Sequence, residues 1–315
     1  MVSGGSVPGL PFQPAYTLYR TEPSALPVLI AVPHAGRAYP SDVLDDLRES
    51  KTASMRLEDR YVDRVAQGVA RLTGADLLLA HAPRAMLDLN RAPDDVDWGM
   101  VERTADIGGD DKGLLPARGL LSPRARSGLG LIPRRLPGIG ELWRRRHAPE
   151  EVRARIASIH EPYHAVLAQR LEMIRARWGA ALLMDFHSMP PLAMRGGLGA
   201  PEIVIGDRFG ASCHGSLIAT TFAYLGQVGR EASHNRPYAG GYVLDRHAAP
   251  RKGIHAIQIE IDRSRYLDSD LHEPGPGLPA LVDDLTQLVR VLAGQVAELA
   301  GAQGNRPEDW PQAAQ

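Results

Sequence analysis

The stretch ALLMDFHSMPP, residues 181–191, decides the fold that this sequence predicts. Its run over residues 181–186, apolar except for Asp185, is typical of a strand buried on both faces of a parallel sheet. Similar short runs predict strands over residues 28–32, 75–80, 86–89, 202–205 and 256–261. Helical spacing over residues 59–72, 151–178 and 278–299 separates them. This alternation predicts an α/β fold with three layers, α/β/α, around a mixed, mostly parallel central sheet.

The length of the chain and its lack of an internal repeat or linker predict one main domain. The 315 residues suffice for one large α/β domain, and without an internal repeat or a linker we expect a single domain over residues 26–300. Residues 1–25 are rich in Gly, Pro and Ser and are expected to form a flexible arm, and residues 301–315 a polar tail. Residues 92–145 lack periodicity, which predicts a long loop excursion, either ordered or partly mobile.

The composition restricts the partners and the chemistry. Lys and Arg total 36 against 37 Asp and Glu, so nothing favours nucleic acid or an anionic membrane as a partner. The single cysteine, Cys213, cannot form an intramolecular disulfide or a thiolate zinc site, which leaves His and carboxylate as metal ligands. No secretory signal and no apolar run of about 18 residues is found. We expect a cytoplasmic enzyme with a small-molecule substrate, in an oligomeric state left open.

Two histidines follow predicted strands directly, His34 in AVPHAGRAYP and His187 in LLMDFHSMPP. Ligands of open α/β sheets bind at the carboxyl ends of strands, so this pair indicates one shared site, with strand capping or loop packing as the alternative. A catalytic zinc often takes two histidines and one carboxylate. The third ligand would come from Glu58, Asp59 or Asp63 in LEDRYVDR, and Asp59 is equally suited to cap a helix.

A second metal signal is HEPYH, in which His160, Glu161 and His164 match the zincin pattern HExxH. Pro162 lies between the two histidines and would disturb the unbroken helix that a zincin requires. A chance match on the polar face of a helix is therefore the favoured interpretation.

Glu260 lies near the end of the predicted strand HAIQIEID, residues 255–262. Alternate residues of a strand point to opposite faces, so Gln258 and Glu260 share the face opposite the isoleucines. A carboxylate within an apolar run is costly unless it is paired or functional. Glu260 is therefore either a general base or the partner of a nearby arginine.

Two further segments carry candidate substrate contacts. PRAMLDLNRAPDD supplies Arg84, Asn90 and Arg91, a combination suited to holding a carboxylate, although a surface arginine is the commoner case. NRPYAGGYVLDRH supplies Gly240 and Gly241, which permit close approach of the backbone to a ligand or simply form a turn.

Taken together, these segments resemble the N-formylglutamate amidohydrolase family and, more distantly, zinc carboxypeptidases and aspartoacylase-like deacylases. The matching stretches follow the family's order over about residues 27–266: VPHAGRAYP, LEDRYVD, MLDLNRAP, IHEPYHAVL, LLMDFHSMPP, NRPYAGGY and GIHAIQIEID. The resemblance implies a zinc-carboxypeptidase-like (phosphorylase/hydrolase-like) fold. It also implies zinc-dependent hydrolysis of N-formyl-L-glutamate, or a related N-formyl amino acid, to formate and the free amino acid. The family name suggests a place in histidine degradation.

The resemblance also implies a metal site. His34 and His187 would be zinc ligands, and Asp59 is favoured over Asp63 as the third. The carboxypeptidase pattern HxxE is not met, because Arg37 stands three residues after His34.

The other implied roles concern catalysis and binding. Glu260 would be the catalytic glutamate, Arg84 would stabilise the oxyanion, and Asn90 with Arg91 would hold the substrate's α-carboxylate. The second carboxylate of glutamate requires another cation, for which the candidates are Arg195, Arg236, Arg246 and Arg251. A zinc carboxypeptidase, an N-acyl amino-acid deacylase and a non-catalytic binding protein remain as alternatives.

Overall fold

The computed structural model describes residues 1–102, 122–193 and 200–302. Its strands are β1 (Val2–Gly4), β2 (Tyr16–Tyr19), β3 (Val28–Val32), β4 (Asp76–Ala80), β5 (Arg135–Leu136), β6 (Gly140–Glu141), β7 (Ala181–Met189), β8 (Ile203–Gly206), β9 (Ala232–His234) and β10 (Ile254–Asp262). Its α-helices are α1 (Ser41–Asp46), α2 (Ser50–Leu57), α3 (Val62–Thr73), α4 (Pro123–Arg126), α5 (Pro149–Arg155), α6 (Glu161–Trp178), α7 (Gly215–Gln227), α8 (Tyr242–His247) and α9 (Leu278–Ala302).

Eight of the strands form one mixed sheet in the order β1-β2-β4-β3-β7-β10-β8-β9. The central strands β4, β3, β7 and β10 run parallel to one another. Strand β2 is antiparallel to β4, and β8 is antiparallel to β10. The sheet is thus parallel at its centre and mixed overall, which confirms the predicted fold class.

Helices cover both faces of this sheet, which is why its central strands β3, β4, β7 and β10 are buried along their whole length. On one face, Leu29 and Ala31 of β3 join a core with apolar residues of α6. On the other face, Ile30 and Val32 join a core with residues of α3, α7 and α9. The period of two along each strand divides the apolar side chains between the two cores, and the result is the predicted three-layer arrangement.

Local sequence sets the helix ends. Helix α3 buries the stripe Val62, Val65 and Val69 and stops at Gly74, whose φ of 76° suits glycine. Helix α6 begins directly after a π-helical turn, Ile156–His160. Pro162 therefore falls in the first turn of α6, where its missing N–H leaves no helical hydrogen bond unmade.

Two local predictions were wrong. Residues 1–25 were expected to form a flexible arm, but β1 and β2 extend the sheet beyond β4, because the buried Tyr16 and Leu18 supply an apolar face. Residues 86–89 were expected to form a strand, but they form turns in which the amide of Met86 donates to the carbonyl of Pro83. Asp88 accepts a hydrogen bond from the amide of Asn90, a local contact that competes with a strand ladder.

The described parts of the excursion, residues 92–102 and 122–145, pack against the body of the protein. They hold a 3-10 turn at Trp98–Met100, helix α4 and the β5–β6 hairpin. Leu131, Ile132 and Leu142 are fully buried there. Residues 103–121 and 303–315 lie outside the described residues, and none of the described helices is long and apolar enough to cross a membrane.

Candidate active site

A cavity of about 1130 Å³ opens at the carboxyl ends of the central parallel strands. His34, two residues after β3, His187 on β7 and Glu260 on β10 all line it. Glu260 and His187 are register partners on adjacent strands. The two predicted strand-end histidines and the predicted base thus meet in one cleft, at the position where open α/β sheets bind ligands.

His34, Asp59 and His187 form a compact buried group in this cleft. Their potential ligand atoms all lie within 4.8 Å of one another, and no other such group of His, Cys, Asp or Glu occurs in the part of the chain that the structure describes. The Asp59 Oδ2 atom lies 3.0 Å from His187 Nδ1 and 3.6 Å from His34 Nδ1. Both imidazoles therefore direct Nδ1 toward the same carboxylate.

The far side of each imidazole is held by a second carboxylate. His34 Nε2 lies 2.7 Å from Asp88 Oδ1, and His187 Nε2 lies 2.8 Å from Asp185 Oδ2. A ring that donates from Nε2 to a carboxylate presents the Nδ1 lone pair on its other side, which is the arrangement of a metal-binding histidine. His34 Nδ1 is buried without a hydrogen-bond partner. Two imidazole nitrogens, one of them without a hydrogen-bond partner, and one carboxylate fit a zinc ion with an open fourth position.

Sequence reasoning missed Asp88 and Asp185, although a signal was present for one of them. Asp185 precedes His187 by two residues on β7, so the period of two places both side chains on one face. Asp88 lies in a turn, and no periodicity connects it to His34. Burial by itself raises the pKa of Asp88, but Arg84 and His34 hold it well below its ordinary value, so this carboxylate is ionised.

The structure brings Asp59, rather than Asp63 or Glu58, to the histidines. The Asp59 amide donates to the His34 carbonyl at 2.9 Å, which fixes the acid beside the strand end. Asp63 instead makes a bidentate ion pair with Arg37. Glu58 lies 3.4 Å from Arg60.

Glu260 belongs to a chain of buried amides rather than to an ion pair. Gln258 donates from Nε2 to Glu260 Oε1 at 2.9 Å and accepts from Asn90 Nδ2 at 3.2 Å. Burial raises the pKa of Glu260 to about 7, which suits a group that both takes and returns a proton near neutral pH.

Two of the predicted arginines line the cavity in fixed positions. Arg84 donates from Nε to Asp88 Oδ2 at 3.0 Å, and its Nη2 lies 2.9 Å from the same oxygen in an ion pair. Arg91 donates from Nε to the Leu129 carbonyl at 2.9 Å and from Nη1 to the Asn90 carbonyl at 2.6 Å. Arg84 Nη1 and Arg91 Nη2 make no hydrogen bond to the described residues and stay available to a ligand.

The glycine pair lines the cavity, but its close approach is to a side chain. A Cβ atom on Gly241 would lie 2.6 Å from Asn90 Oδ1, and Gly240 has a φ of 97°. Asn90 Oδ1 accepts the amide of Val243 at 2.9 Å, just beyond this pair. The glycines therefore allow the loop to close over Asn90.

The candidates for the second cation occupy different surroundings. Arg236 lines the cavity and is exposed. Arg246 donates to the Tyr242 hydroxyl at 2.8 Å, and Arg251 lies in the 3-10 turn Pro250–Lys252. Arg195 lies outside the described residues.

The HEPYH histidines brace the loop that carries Asn90. His160 Nε2 lies 3.0 Å from the Arg91 carbonyl, and His164 Nε2 lies 3.0 Å from the Leu89 carbonyl. The other nitrogen of His164, Nδ1, lies 2.9 Å from His247 Nε2. Their ring nitrogens are thus engaged beneath the cleft rather than in the His34–Asp59–His187 group.

The fold and the cleft define an α/β protein with a candidate metal-binding centre at the carboxyl edge of its parallel strands. The family model described as N-formylglutamate amidohydrolase matches residues 26–267, which is most of the chain. The protein belongs to the N-formylglutamate amidohydrolase family, a family of hydrolases.

Individual relatives agree with this assignment. The N-formylglutamate deformylase of Pseudomonas putida is 30% identical over 284 residues, covering 89% of this chain and 94% of that protein. The N-formylglutamate deformylase of Pseudomonas aeruginosa is 29% identical over 249 residues, covering 77% and 83%. The crystal structure of N-formylglutamate amidohydrolase from Ralstonia eutropha JMP134 matches with a TM-score of 0.78 and 29% identity, covering 92% of this chain and 99% of that one. The resemblance inferred from the sequence motifs is confirmed.

Proposed function

We propose that this protein is a zinc-dependent amidohydrolase that cleaves N-formyl-L-glutamate to formate and L-glutamate. The observation that carries the proposal is the adjacency of Glu260, on β10, to His187 of the His34–Asp59–His187 group, on β7. The names of the two Pseudomonas relatives support the substrate.

The metal would be held by His34, Asp59 and His187, with Asp88 and Asp185 fixing the orientation of the two rings. When bound, zinc supplies a Lewis acid and lowers the pKa of coordinated water. All three residues line the cavity, so a metal ion held by them would be accessible to substrate.

Glu260 moves the proton. It accepts a proton from the water that attacks the formyl carbon and returns it to the amine nitrogen as the C–N bond breaks. Gln258 binds one carboxylate oxygen, Oε1, which leaves Oε2 for the water. Glu260 lies on a rigid central strand, so its distance from the reacting carbon is set by the sheet.

The arginines position charge. Arg84 offers Nη1 to the oxygen on which negative charge develops, and its other two nitrogens hold it on Asp88. Arg91 offers Nη2 to the α-carboxylate, and Asn90 contributes its second amide proton.

Formate release from N-formyl-L-glutamate tests the proposal. Wild-type activity should be lost on chelation and regained with zinc. Glu260→Gln should lower kcat by about 10²–10⁴-fold with the zinc content unchanged. Glu202→Gln is the matched control, because Glu202 pairs with Arg230 at 2.9 Å and does not line the cavity.

The substrate panel includes N-acetyl-L-glutamate and a blocked dipeptide, which represent the deacylase and carboxypeptidase alternatives. Faster turnover of either compound than of the formyl substrate would overturn the assignment. Tight binding of these compounds by zinc-loaded protein, with no turnover of any amide, would instead indicate a binding protein.

A further inference from the structure

The cavity carries an excess of arginine. Five carboxylate residues line it, namely Asp59, Asp94, Asp95, Asp245 and Glu260. Seven arginines line it, namely Arg56, Arg84, Arg91, Arg124, Arg208, Arg236 and Arg263. A cleft with more arginines than carboxylates favours anionic ligands, and a metal ion would add to that preference.

Most of these arginines are already engaged. Arg208 pairs with Asp245 at 2.6 Å, and Arg263 donates to Ser188 Oγ at 3.0 Å. Arg56 donates to the Pro137 carbonyl. Within the described residues, the guanidinium groups that line the cavity without any hydrogen bond or ion pair are those of Arg124 and Arg236. A free guanidinium presents the planar fork that binds a carboxylate through two hydrogen bonds.

Arg124 is held on a short but well-anchored helix, α4. Ser122 caps this helix by accepting from the Ala125 amide at 3.1 Å, and its hydroxyl donates to Asp95 at 2.8 Å. Ala125 is fully buried, which fixes the backbone, whereas the Arg124 side chain is exposed at the mouth of the cavity. The backbone of α4 is therefore fixed, whereas the Arg124 guanidinium has no partner among the described residues.

A hydrogen-bonded relay fixes Arg124 relative to Arg91. The Arg124 carbonyl accepts the amide of Leu129 at 2.8 Å, and the Leu129 carbonyl accepts Nε of Arg91 at 2.9 Å. Burial lowers the pKa of Arg91, and the positive charges of Arg84 and then of Arg124 lower it further. Two positive charges that line the same cavity favour a ligand with two negative charges.

We propose that Arg124 binds the side-chain carboxylate of the substrate while Arg91 binds its α-carboxylate, so that Arg124 sets the preference for acidic N-formyl amino acids. This inference rests on the proposed function. The hydrogen bonds of Leu129 connect the backbone of Arg124 to the side chain of Arg91. Among the described residues, no hydrogen bonds connect Arg236 to Arg91 in this way.

The test compares N-formyl-L-glutamate with N-formyl-L-glutamine, which has the same shape and no side-chain charge. Arg124→Met should lower kcat/KM for the glutamate substrate about 10–100-fold, the range for losing hydrogen bonds to a charged group, and leave that for the glutamine substrate unchanged. The effect should fall mainly on KM. Arg124→Lys should recover part of the preference, since it restores the charge without the fork.

Two matched variants control for charge alone. Arg126→Met removes an exposed arginine two residues along α4 that does not line the cavity, and it should not alter the preference. Arg236→Met removes the other free arginine. An equal loss on both substrates in Arg124→Met, or a collapse of the preference in Arg236→Met instead, would overturn the inference.

Calorimetric binding of L-glutamate and L-glutamine to zinc-loaded protein separates this inference from the proposed function. Wild-type protein that binds glutamate more tightly, with the difference abolished in Arg124→Met, supports the role of Arg124 even if no formate is released. Formate release by wild-type protein with equal binding of the two amino acids would sink the role of Arg124 and leave the proposed function standing.

Discussion

Replacement of Asp88 by asparagine should weaken zinc binding and folding stability together. The Asp88 carboxylate accepts from His34 Nε2, from two nitrogens of Arg84 and from the amide of Asn90. An asparagine of the same shape can still accept from His34 and Asn90. Its amide group then meets Arg84 with N–H facing N–H, and the negative charge that balanced Arg84 is lost.

The structure sets the size of both effects. Breaking a buried ion pair costs about 3 kcal/mol at the lower end of its range, which applies here because the Arg84 side chain remains 23% exposed. For a chain of 315 residues that corresponds to a fall in the unfolding midpoint of roughly 5 °C. Loss of a charged partner behind a metal-binding histidine typically lowers metal affinity by about 10–100-fold.

Chelator competition measures the zinc affinity, and thermal unfolding of the metal-free protein measures the stability. Asp76→Asn is the matched control. Asp76 is a buried acid on β4 that pairs with Arg170 at 2.6 Å and does not line the cavity. It should lose a similar amount of stability and keep its zinc affinity.

Equal zinc affinity in wild-type protein and Asp88→Asn, together with the same loss of stability as in Asp76→Asn, would refute the reasoning. Asp88 would then be a structural acid without influence on His34. Unchanged stability of Asp88→Asn would refute the predicted loss of stability. It would mean that Arg84 is solvated or paired elsewhere equally well without the Asp88 carboxylate.

Three further predictions concern the supports of the cleft. His164→Leu removes a buried N–H donor and should raise KM for N-formyl-L-glutamate about 10-fold in steady-state kinetics, whereas His164→Gln, which keeps a donor near Nε2, should restore most of the loss. Burial lowers the pKa of His160 to about 4 and that of His247 to about 3, so both are neutral in the folded protein and take up protons on unfolding below about pH 6.5. The free energy of unfolding should therefore fall from pH 6.5 toward pH 4 in denaturant titrations, and a flat profile would contradict the burial. Gly241→Ala places a methyl group 2.6 Å from an amide oxygen and should lower kcat/KM at least 10-fold, whereas Gly294→Ala, with nothing within 4 Å, should leave kinetics unchanged and raise stability slightly.

The central strands were predictable because burial on both faces leaves a strong local mark. The run at residues 28–32 is apolar without interruption and that at residues 181–186 is apolar except for Asp185; they form β3 and most of β7, and the histidines after these runs meet in the cleft. Glu260 was also accessible, since the period of two separates it from the isoleucines of β10.

The partners of these residues were not predictable from local pattern. The contact between Asp88 and His34 joins residues 54 positions apart, and no periodicity relates a turn to a strand end. The same holds for Arg124, whose segment has no sustained apolar spacing. The prediction of a flexible arm for residues 1–25 relied on their Gly, Pro and Ser content. What stabilises this segment is the pairing of β2 with β4, which is distant in the sequence and leaves no local pattern.

The nine-residue strands β7 and β10 pair along their whole length at the centre of the sheet, whereas the outermost strands β1 and β9 have three residues each. Backbone opening at the centre requires unfolding of the whole sheet, whereas the sheet margins and the surface loops can open alone. His187 and Glu260 therefore occupy the slowest-exchanging part of the chain, and Arg124 occupies a connecting segment. Over evolutionary time, a new acyl amino acid could be accommodated by exchanging loop residues, and the hydrolytic machinery would be inherited without change.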